Sequence, residues 1–285
     1  MQYNVMNPNW YWDLPKLPAG VAKVDKALGY DDPSWSTANV AKVNAQQQQY
    51  ANMLFDLYQP DILLLNERFT EWNTFTASLT KNKGYAIVET IASGHKICTN
   101  PILYKTSEFT LVKSGVFDYS TSSIANTDND KEGYRVMTWA ILKSKATGKS
   151  ILVCNMHLQA TNSTYTALQN AQFRVNQANA IADEIAKILS QNTSVKNLIV
   201  GGDMNSIRGV TRDEYEAQAG SAYDALLGRL IAKGLDVSHA YSSTDYGIDN
   251  FATMGCTVNQ TGTDRSHWTD RVSDHCPIYA DITLK

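Results

Sequence analysis

The stretch Asn197-Leu-Ile-Val-Gly-Gly-Asp-Met-Asn205 is a short apolar run that breaks into two glycines, a carboxylate and a carboxamide. Leu198 to Val200 has the length and branching of a buried strand. Gly201, Gly202 and Asp203, taken alone, read as the turn that ends it. The same grammar recurs along the chain. Asp61-Ile-Leu-Leu-Leu65 is followed by Asn66-Glu67, and Ile151-Leu-Val-Cys154 by Asn155-Met-His157. A first strand from Gln2 to Met6 carries Asn4, Ile248-Asp249-Asn250 opens a late strand, and Ser273-Asp274-His275 precedes Cys276-Pro-Ile-Tyr-Ala-Asp-Ile282. Strand ends hold side chains rigidly and can feed them to one cleft.

Working outward, further strands are predicted around 85–89, 101–104, 109–113, 135–143, 249–254 and 277–283. Helical spacing covers 38–58, with Val40, Val43, Tyr50, Met53, Leu54 and Leu57 on one side. A long amphipathic helix is predicted over 165–190, with Phe173, Ala180, Ile181, Ile185 and Ile188 as its stripe. A third helix covers 221–233. The segment 8–38, with Trp10, Tyr11, Trp12 and Trp35, and the segment 120–133 read as loops. Strands bracket the helices, no linker divides the chain and no repeat is present, so one domain spanning 1–285 is expected. The pattern is a mixed α/β sandwich, two sheets face to face with helices outside.

Composition narrows the function classes. Lys and Arg total 25 against 28 Asp and Glu, a formal charge of -3, which excludes a strongly basic field for charge-driven nucleic-acid binding. Turnover of a polyanion at a local site is compatible with that balance. No apolar run approaches a membrane span, and a monomer is expected. The four cysteines lie in or beside apolar segments and read as free thiols; one Cys256–Cys276 disulfide is the lesser alternative. The absence of an apolar leader after Met1 fits a cytosolic protein, or an exported one whose targeting segment has been removed.

Two histidines, several carboxylates and carboxamides at strand ends suit one hard divalent cation and phosphate chemistry. Mg²⁺ takes a few oxygen ligands and keeps several waters; it polarises a phosphoryl oxygen, while a histidine held by a carboxylate deprotonates water. Singly, His157 and His275 would more often be structural, and Arg135 a surface ion-pair partner. Their joint occurrence is what raises the reading.

The set Asn66-Glu67, NMHL (155–158), GGDMN (201–205), IDN (248–250) and VSDHCPI (272–278), in that order with Asn4 before it, resembles the endonuclease/exonuclease/phosphatase superfamily. The resemblance runs from Tyr3 to Leu284. It implies a four-layer α/β/β/α sandwich of two mixed sheets with helices on the outer faces. It also implies divalent-metal-dependent hydrolysis of phosphate esters, with Mg²⁺ as the ion and Mn²⁺ or Ca²⁺ as alternatives. By the same resemblance Glu67 is the principal metal ligand, Asp274 a further metal-site or water-orienting carboxylate, and His275 the general base. Asp249 orients that histidine. Asp203 and Asn205 contact the nucleophilic water or the scissile phosphate, with Asp203 also a candidate metal ligand. His157 is the phosphate-binding or acid-side histidine, Asn4 lies beneath metal and phosphate, and Arg135 reaches the phosphate.

Three departures stand out. Cys98 or Thr99 occupies the place of a Glu that supports the equivalent of His157 in pancreatic-type nucleases, Asn66 replaces a commoner Gln or Asp, and Asn250-Phe-Ala-Thr replaces a commoner aromatic run. The middle of the chain resembles secreted bacterial deoxyribonucleases, whereas HLQA (157–160), FRVNQ (173–177) and GGDMN resemble sphingomyelinases. The first expectation is a nuclease-type phosphodiesterase acting on nucleic acid. A sphingomyelinase-like phospholipase C acting on a phospholipid is the alternative, and a non-catalytic binding module the last.

Overall fold

The computed structural model describes residues 1–5, 48–49, 51–94, 97–120, 135–209, 219–244, 247–265, 273 and 275–285. The loop expected over 8–38 with its four aromatics, most of that over 120–133, and Asp274, His95 and His267 lie outside the described residues.

Among the described residues, twelve strands form two six-stranded sheets. The first contains β1 (Gln2–Asn4), β2 (Ile62–Asn66), β3 (Tyr85–Val88), β4 (Ile102–Lys105), β11 (Cys256–Thr263) and β12 (Ile278–Leu284), in the order β11-β12-β1-β2-β4-β3. The second contains β5 (Phe109–Asp118), β6 (Val136–Ser144), β7 (Ser150–His157), β8 (Asn197–Asp203), β9 (Ser238–Ser242) and β10 (Asp249–Met254), in the order β5-β6-β7-β8-β10-β9. Each sheet is antiparallel except at its centre, where β1 runs parallel to β2 and β7 parallel to β8. Helical residues 51–58, a 3-10 turn (Thr70–Trp72) and α1 (Asn73–Asn82) cover the outer face of the first sheet. The helices α2 (Ala167–Gln191) and α3 (Ala222–Ala232) cover the second. The architecture is the expected four-layer sandwich of two mixed sheets.

Strand alternation places every residue. In β7, Leu152, Cys154 and Met156 face the outer helices while Ile151 and Val153 face the other sheet. In β2, Leu63 and Leu65 face outward and Leu64 inward. The inner layer joins Leu64, Ile102 and Ile278 of one sheet to Val153, Ile199 and Phe251 of the other. A Cβ on Gly201 would come within 2.8 Å of Leu64 and 2.7 Å of Phe251, so only glycine leaves room between the sheets there.

Several expectations change. β8 does not end at Val200 but runs to Asp203, pairing with β7 and β10 to its last residue. Gly202 permits this: its φ is +141°, and a Cβ there would lie 1.9 Å from the Met156 carbonyl oxygen. β5 is twice as long as expected, and β9, β11 and α1 join the predicted elements. In the helix ending at Tyr58, Ala51, Leu54 and Phe55 are buried, whereas Met53 and Leu57 face solvent. In α2 the buried alanines are Ala171, Ala178 and Ala182, not Ala180. All four cysteines are free thiols. No helix among the described residues is long and apolar enough to cross a membrane.

Candidate active site

The alternation that places Leu64, Val153, Ile199 and Phe251 between the sheets also governs the strand ends. There it points Gln2, Asn4, Asn66, Asn155, His157, Asp203 and Asp249 into the same layer. All seven are buried. The register aligns Asn4 with Asn66, His157 with Asp203, and Asp203 with Asp249. The inner layer thus changes from apolar to polar at one end of the sandwich, and buried polar groups need partners.

Those partners form one network. Asn4 Nδ2 donates to Glu67 Oε1 and to Asp203 Oδ2, both at 3.1 Å, and lies 3.5 Å from His275 Nε2. Asp249 Oδ2 is 2.7 Å from His275 Nδ1, so the carboxylate holds the ring proton on Nδ1 and leaves the Nε2 lone pair directed at Asn4 and Asp203. Gln2 Nε2 donates to Asp249 Oδ1 at 2.7 Å and to Asn66 Oδ1 at 2.9 Å. Asn66 Nδ2 donates to Asn100 Oδ1, Asn155 Oδ1 and the Met156 carbonyl, and its Oδ1 accepts from the Asp203 N–H. Asn155 Nδ2 bridges from the second sheet to the carbonyls of Leu65 and Pro101. Glu67 and Asn205 both take left-handed backbone, φ 57° and 46°, a strained conformation that clusters at functional sites. In Asn205 the N–H donates to Asp203 Oδ1 and the amide to the Leu158 carbonyl.

Burial pushes the His157 imidazole down to about 3, with Arg135 and His275 adding to the effect against the pull of Asp203, so His157 is neutral at ordinary pH. Its Nε2 lies 3.5 Å from Asp203 Oδ2, and its Nδ1 has no hydrogen-bond partner. This agrees with the absence of a supporting Glu: Cys98, near that place in sequence, turns its Sγ to Thr138 Oγ1. Burial works against the Asp203 carboxylate. The two histidines and the donors Asn205 N–H and Asn4 Nδ2 outweigh it and hold the carboxyl below its usual range.

The structure therefore brings Asn4, Glu67, His157, Asp203, Asn205, Asp249 and His275 to one place; Asp274 falls outside the described residues. Arg135, expected at the phosphate, uses Nη1 on the carbonyls of His157 and Leu158. It fixes the backbone of the histidine from beneath, as the Tyr119 hydroxyl also does at 2.6 Å. Gln2 escaped the sequence reading. Its parity with Asn4 on β1 was the signal, since residues two apart on a strand share a face.

The donor set fits a cation. Asp203, Asp249 and His275 present ligand atoms within 4.8 Å of one another and could hold a metal. Beside them, one amide nitrogen with two hydrogens faces three acceptors, on Glu67, Asp203 and His275. Two buried carboxylates converging on one point offer the oxygen ligands that a hard divalent ion takes.

No family model and no curated protein sequence matches the chain. Solved structures do. An endonuclease/exonuclease/phosphatase protein from Bacteroides vulgatus matches with a TM-score of 0.63 at 18% identity, covering 85% of this chain and 91% of its own. The mannosyl-6-phosphatase Bt3783 of Bacteroides thetaiotaomicron matches with a TM-score of 0.62 at 18% identity, over 87% of this chain and 96% of its own. D. rerio TDP2, complexed with a single-strand DNA product, matches with a TM-score of 0.56 at 16% identity, over 84% and 92%. Two sheets with matching central parallel pairs, a polar inner layer at one end and these likenesses agree: the chain has the endonuclease/exonuclease/phosphatase fold.

Proposed function

We propose that the protein is a divalent-metal-dependent hydrolase of phosphate esters in which His275 takes the proton of the attacking water. The observation that carries this reading is the 2.7 Å contact of His275 Nδ1 with the buried Asp249, which leaves Nε2 facing Asp203 Oδ2 at 3.7 Å. A base needs its lone pair aimed into the site and its other nitrogen held; both conditions are met. Glu67 and Asp203 are the residues to hold the ion. Both Asp249 oxygens already accept, from His275 and from Gln2, which makes Asp249 the orienting carboxylate rather than a ligand. Asp274 joins the ligands on the resemblance of its motif. When bound, the ion polarises the phosphoryl oxygen and offsets charge on the leaving oxygen. Neutral His157 supplies a hydrogen-bond donor for the phosphate, the Asn4 amide holds the Glu67 and Asp203 carboxylates in place, and Asp203 orients the water toward it.

For the substrate we propose a phosphodiester of nuclease type. The likeness of the middle of the chain to secreted deoxyribonucleases supports this, as does the DNA product held by the D. rerio neighbour. A phosphomonoester is the second reading, supported by the mannosyl-6-phosphatase neighbour. Mg²⁺ is the first ion to use.

The test is nicking of supercoiled plasmid by purified protein with Mg²⁺, beside EDTA and His275→Ala controls. Nicking abolished by both controls is the expected result. No nicking above the His275→Ala background, with hydrolysis of phosphomonoesters or of sphingomyelin liposomes instead, would replace the nuclease reading. No metal-dependent hydrolysis of any ester would overturn the hydrolase itself.

A further inference from the structure

The inner layer is tight where Gly201 sits between Leu64 and Phe251, and it opens at the pole opposite the catalytic residues. There Leu64, Ala280 and Ile282 of the first sheet and Ile151, Ile199 and Phe251 of the second line a cavity of about 150 Å³. Ile62 and Ile151, at the starts of β2 and β7, mark its place, because the other ends of those strands carry Asn66 and His157. Ala280, Ile282 and Leu284 lie on the inward side of β12 with the buried Ile278, yet all three are only half-buried. Asp61 and Asp281, both exposed, also line the cavity, so it communicates with solvent. Protein interiors hold few voids larger than a water molecule, and an unfilled one costs stability.

The wall specifies a chemistry. Of the inward-facing strand residues around the cavity, Thr253 alone is polar. It is 3% exposed, shares its side of β10 with Asp249 and Phe251, and its hydroxyl bonds to no described residue. A single hydroxyl does not hold a buried water, which takes roughly two to four polar partners. An apolar cavity of about 150 Å³ walled by Leu, Ile and Phe stays dry and admits one benzene-sized ring. A ring of that size with one hydrogen-bonding substituent satisfies both the apolar wall and the buried threonine.

We propose that this cavity is a binding site for a small phenol, its ring between Ile151, Ile199, Phe251 and Ile282 and its hydroxyl on Thr253 Oγ1. The site stands apart from the catalytic pole and does not depend on the hydrolase reading.

The test is binding to the whole chain, with phenol and benzene as probes, followed by calorimetric titration and by thermal denaturation. Both probes should bind saturably and raise the melting temperature. Phenol should bind about threefold to tenfold tighter, the value of one neutral hydrogen bond. Thr253→Val keeps the shape of the side chain and should erase that preference while benzene still binds. Ala280→Leu and Ile282→Phe fill the cavity from a half-buried strand, and either should abolish binding of both probes; the two serve each other should one fail to fold. Absence of saturable binding to the wild type overturns the proposal, as does binding that survives both filled cavities. Equal affinity for phenol and benzene, or a phenol preference unmoved by Thr253→Val, overturns it too.

Discussion

The two sheets share one pattern of pairing and differ in what it delivers. In each, two antiparallel pairs flank a central parallel pair, and each parallel pair ends on two inward polar residues in register. The first sheet ends on Asn4 and Asn66, the second on His157 and Asp203. The first therefore supplies mainly neutral donors and the left-handed turn at Glu67; the second supplies a carboxylate and a neutral imidazole. Buried charge is tolerated when donors surround it, and here the donors of one sheet serve the charges of the other, Asn4 on Asp203 and Gln2 on Asp249, while Asn66 Oδ1 accepts from the Asp203 backbone N–H. The geometry of the candidate site is a property of the joint between sheets, and neither sheet holds it alone.

Breaking the joint at the base should produce the largest effect. His275→Ala is expected to lower turnover by about 10²- to 10⁴-fold, the usual contribution of a positioned base, while the melting temperature stays close to wild type. Near-normal turnover would remove His275 from the chemistry and leave the shared network as architecture. Next comes the second sheet's own parallel pair. Its penultimate position is Gly202 where the first sheet has Leu65. Gly202→Ala puts a methyl 1.9 Å from the Met156 carbonyl oxygen at a φ of +141°, which should cost about 3 kcal/mol or more by urea denaturation. A cost under about 1 kcal/mol would mean that β7 and β8 separate easily there, against the close pairing described.

A subtler break is Gln2→Leu. It removes the donor from Asp249 Oδ1 without touching His275, and leaves a fully buried carboxylate with one partner fewer. Turnover should fall about tenfold, the value of one hydrogen bond to a charged group, with KM changed much less because Gln2 is shielded from substrate. An equal rise in KM would show that Gln2 shapes the binding site itself.

How much of this was legible in the sequence differs between the regions. β2, β7 and β8 declare themselves as apolar runs, and the polar residues that follow them mark the site. α2 is long and carries a capping box, a strong start signal. By contrast β11, Cys-Thr-Val-Asn-Gln-Thr-Gly-Thr, is largely exposed, and β9 is half-buried at a sheet edge. Neither shows the alternation that a half-buried strand displays. α1 buries only Phe75, Thr76 and Leu79, and no side chain caps it. The turn expected at Gly201 to Asp203 reflects local preference overridden by two neighbouring strands. For the helix ending at Tyr58, a stripe one position off follows from counting Met53 and Leu57 with Leu54, when the buried arc is Ala51, Leu54 and Phe55. Within the site, His275, Asp249 and Asp203 were visible as motifs. Gln2 and Asn100 were not, because a glutamine on a strand or an asparagine in a loop has no chemical signature until its partners are known. Arg135 was visible as a cation; its use on two carbonyls depends on contacts across β6 and β7 that a linear reading does not contain.

The smallest effects separate the outer layers. The first sheet is covered by α1, whose N-cap Trp72 makes no side-chain capping bond, and the second by two capped helices. At α2, Gln169 N–H donates to Thr166 Oγ1 at 3.2 Å and Thr166 N–H to Gln169 Oε1 at 2.9 Å. Thr166→Ala strips both the acceptor and the reciprocal geometry, and should cost about 1 kcal/mol. At α3, Ser221 Oγ accepts from Asp224 N–H at 3.3 Å and from the Ser206 hydroxyl at 3.4 Å, while Ala222 N–H is already taken by Ser206 Oγ at 2.9 Å. Ser221→Ala therefore leaves one of the first-turn donors satisfied and should cost about 0.5 kcal/mol, the low end for cap removal. Urea midpoints of the two variants, at unchanged slope, should order Thr166→Ala below Ser221→Ala. The reverse order would mean that Ser206 does not cap α3 in solution, and that the segment from Asp203 to Ser206, which also carries Asn205, is held less firmly than its hydrogen bonds imply.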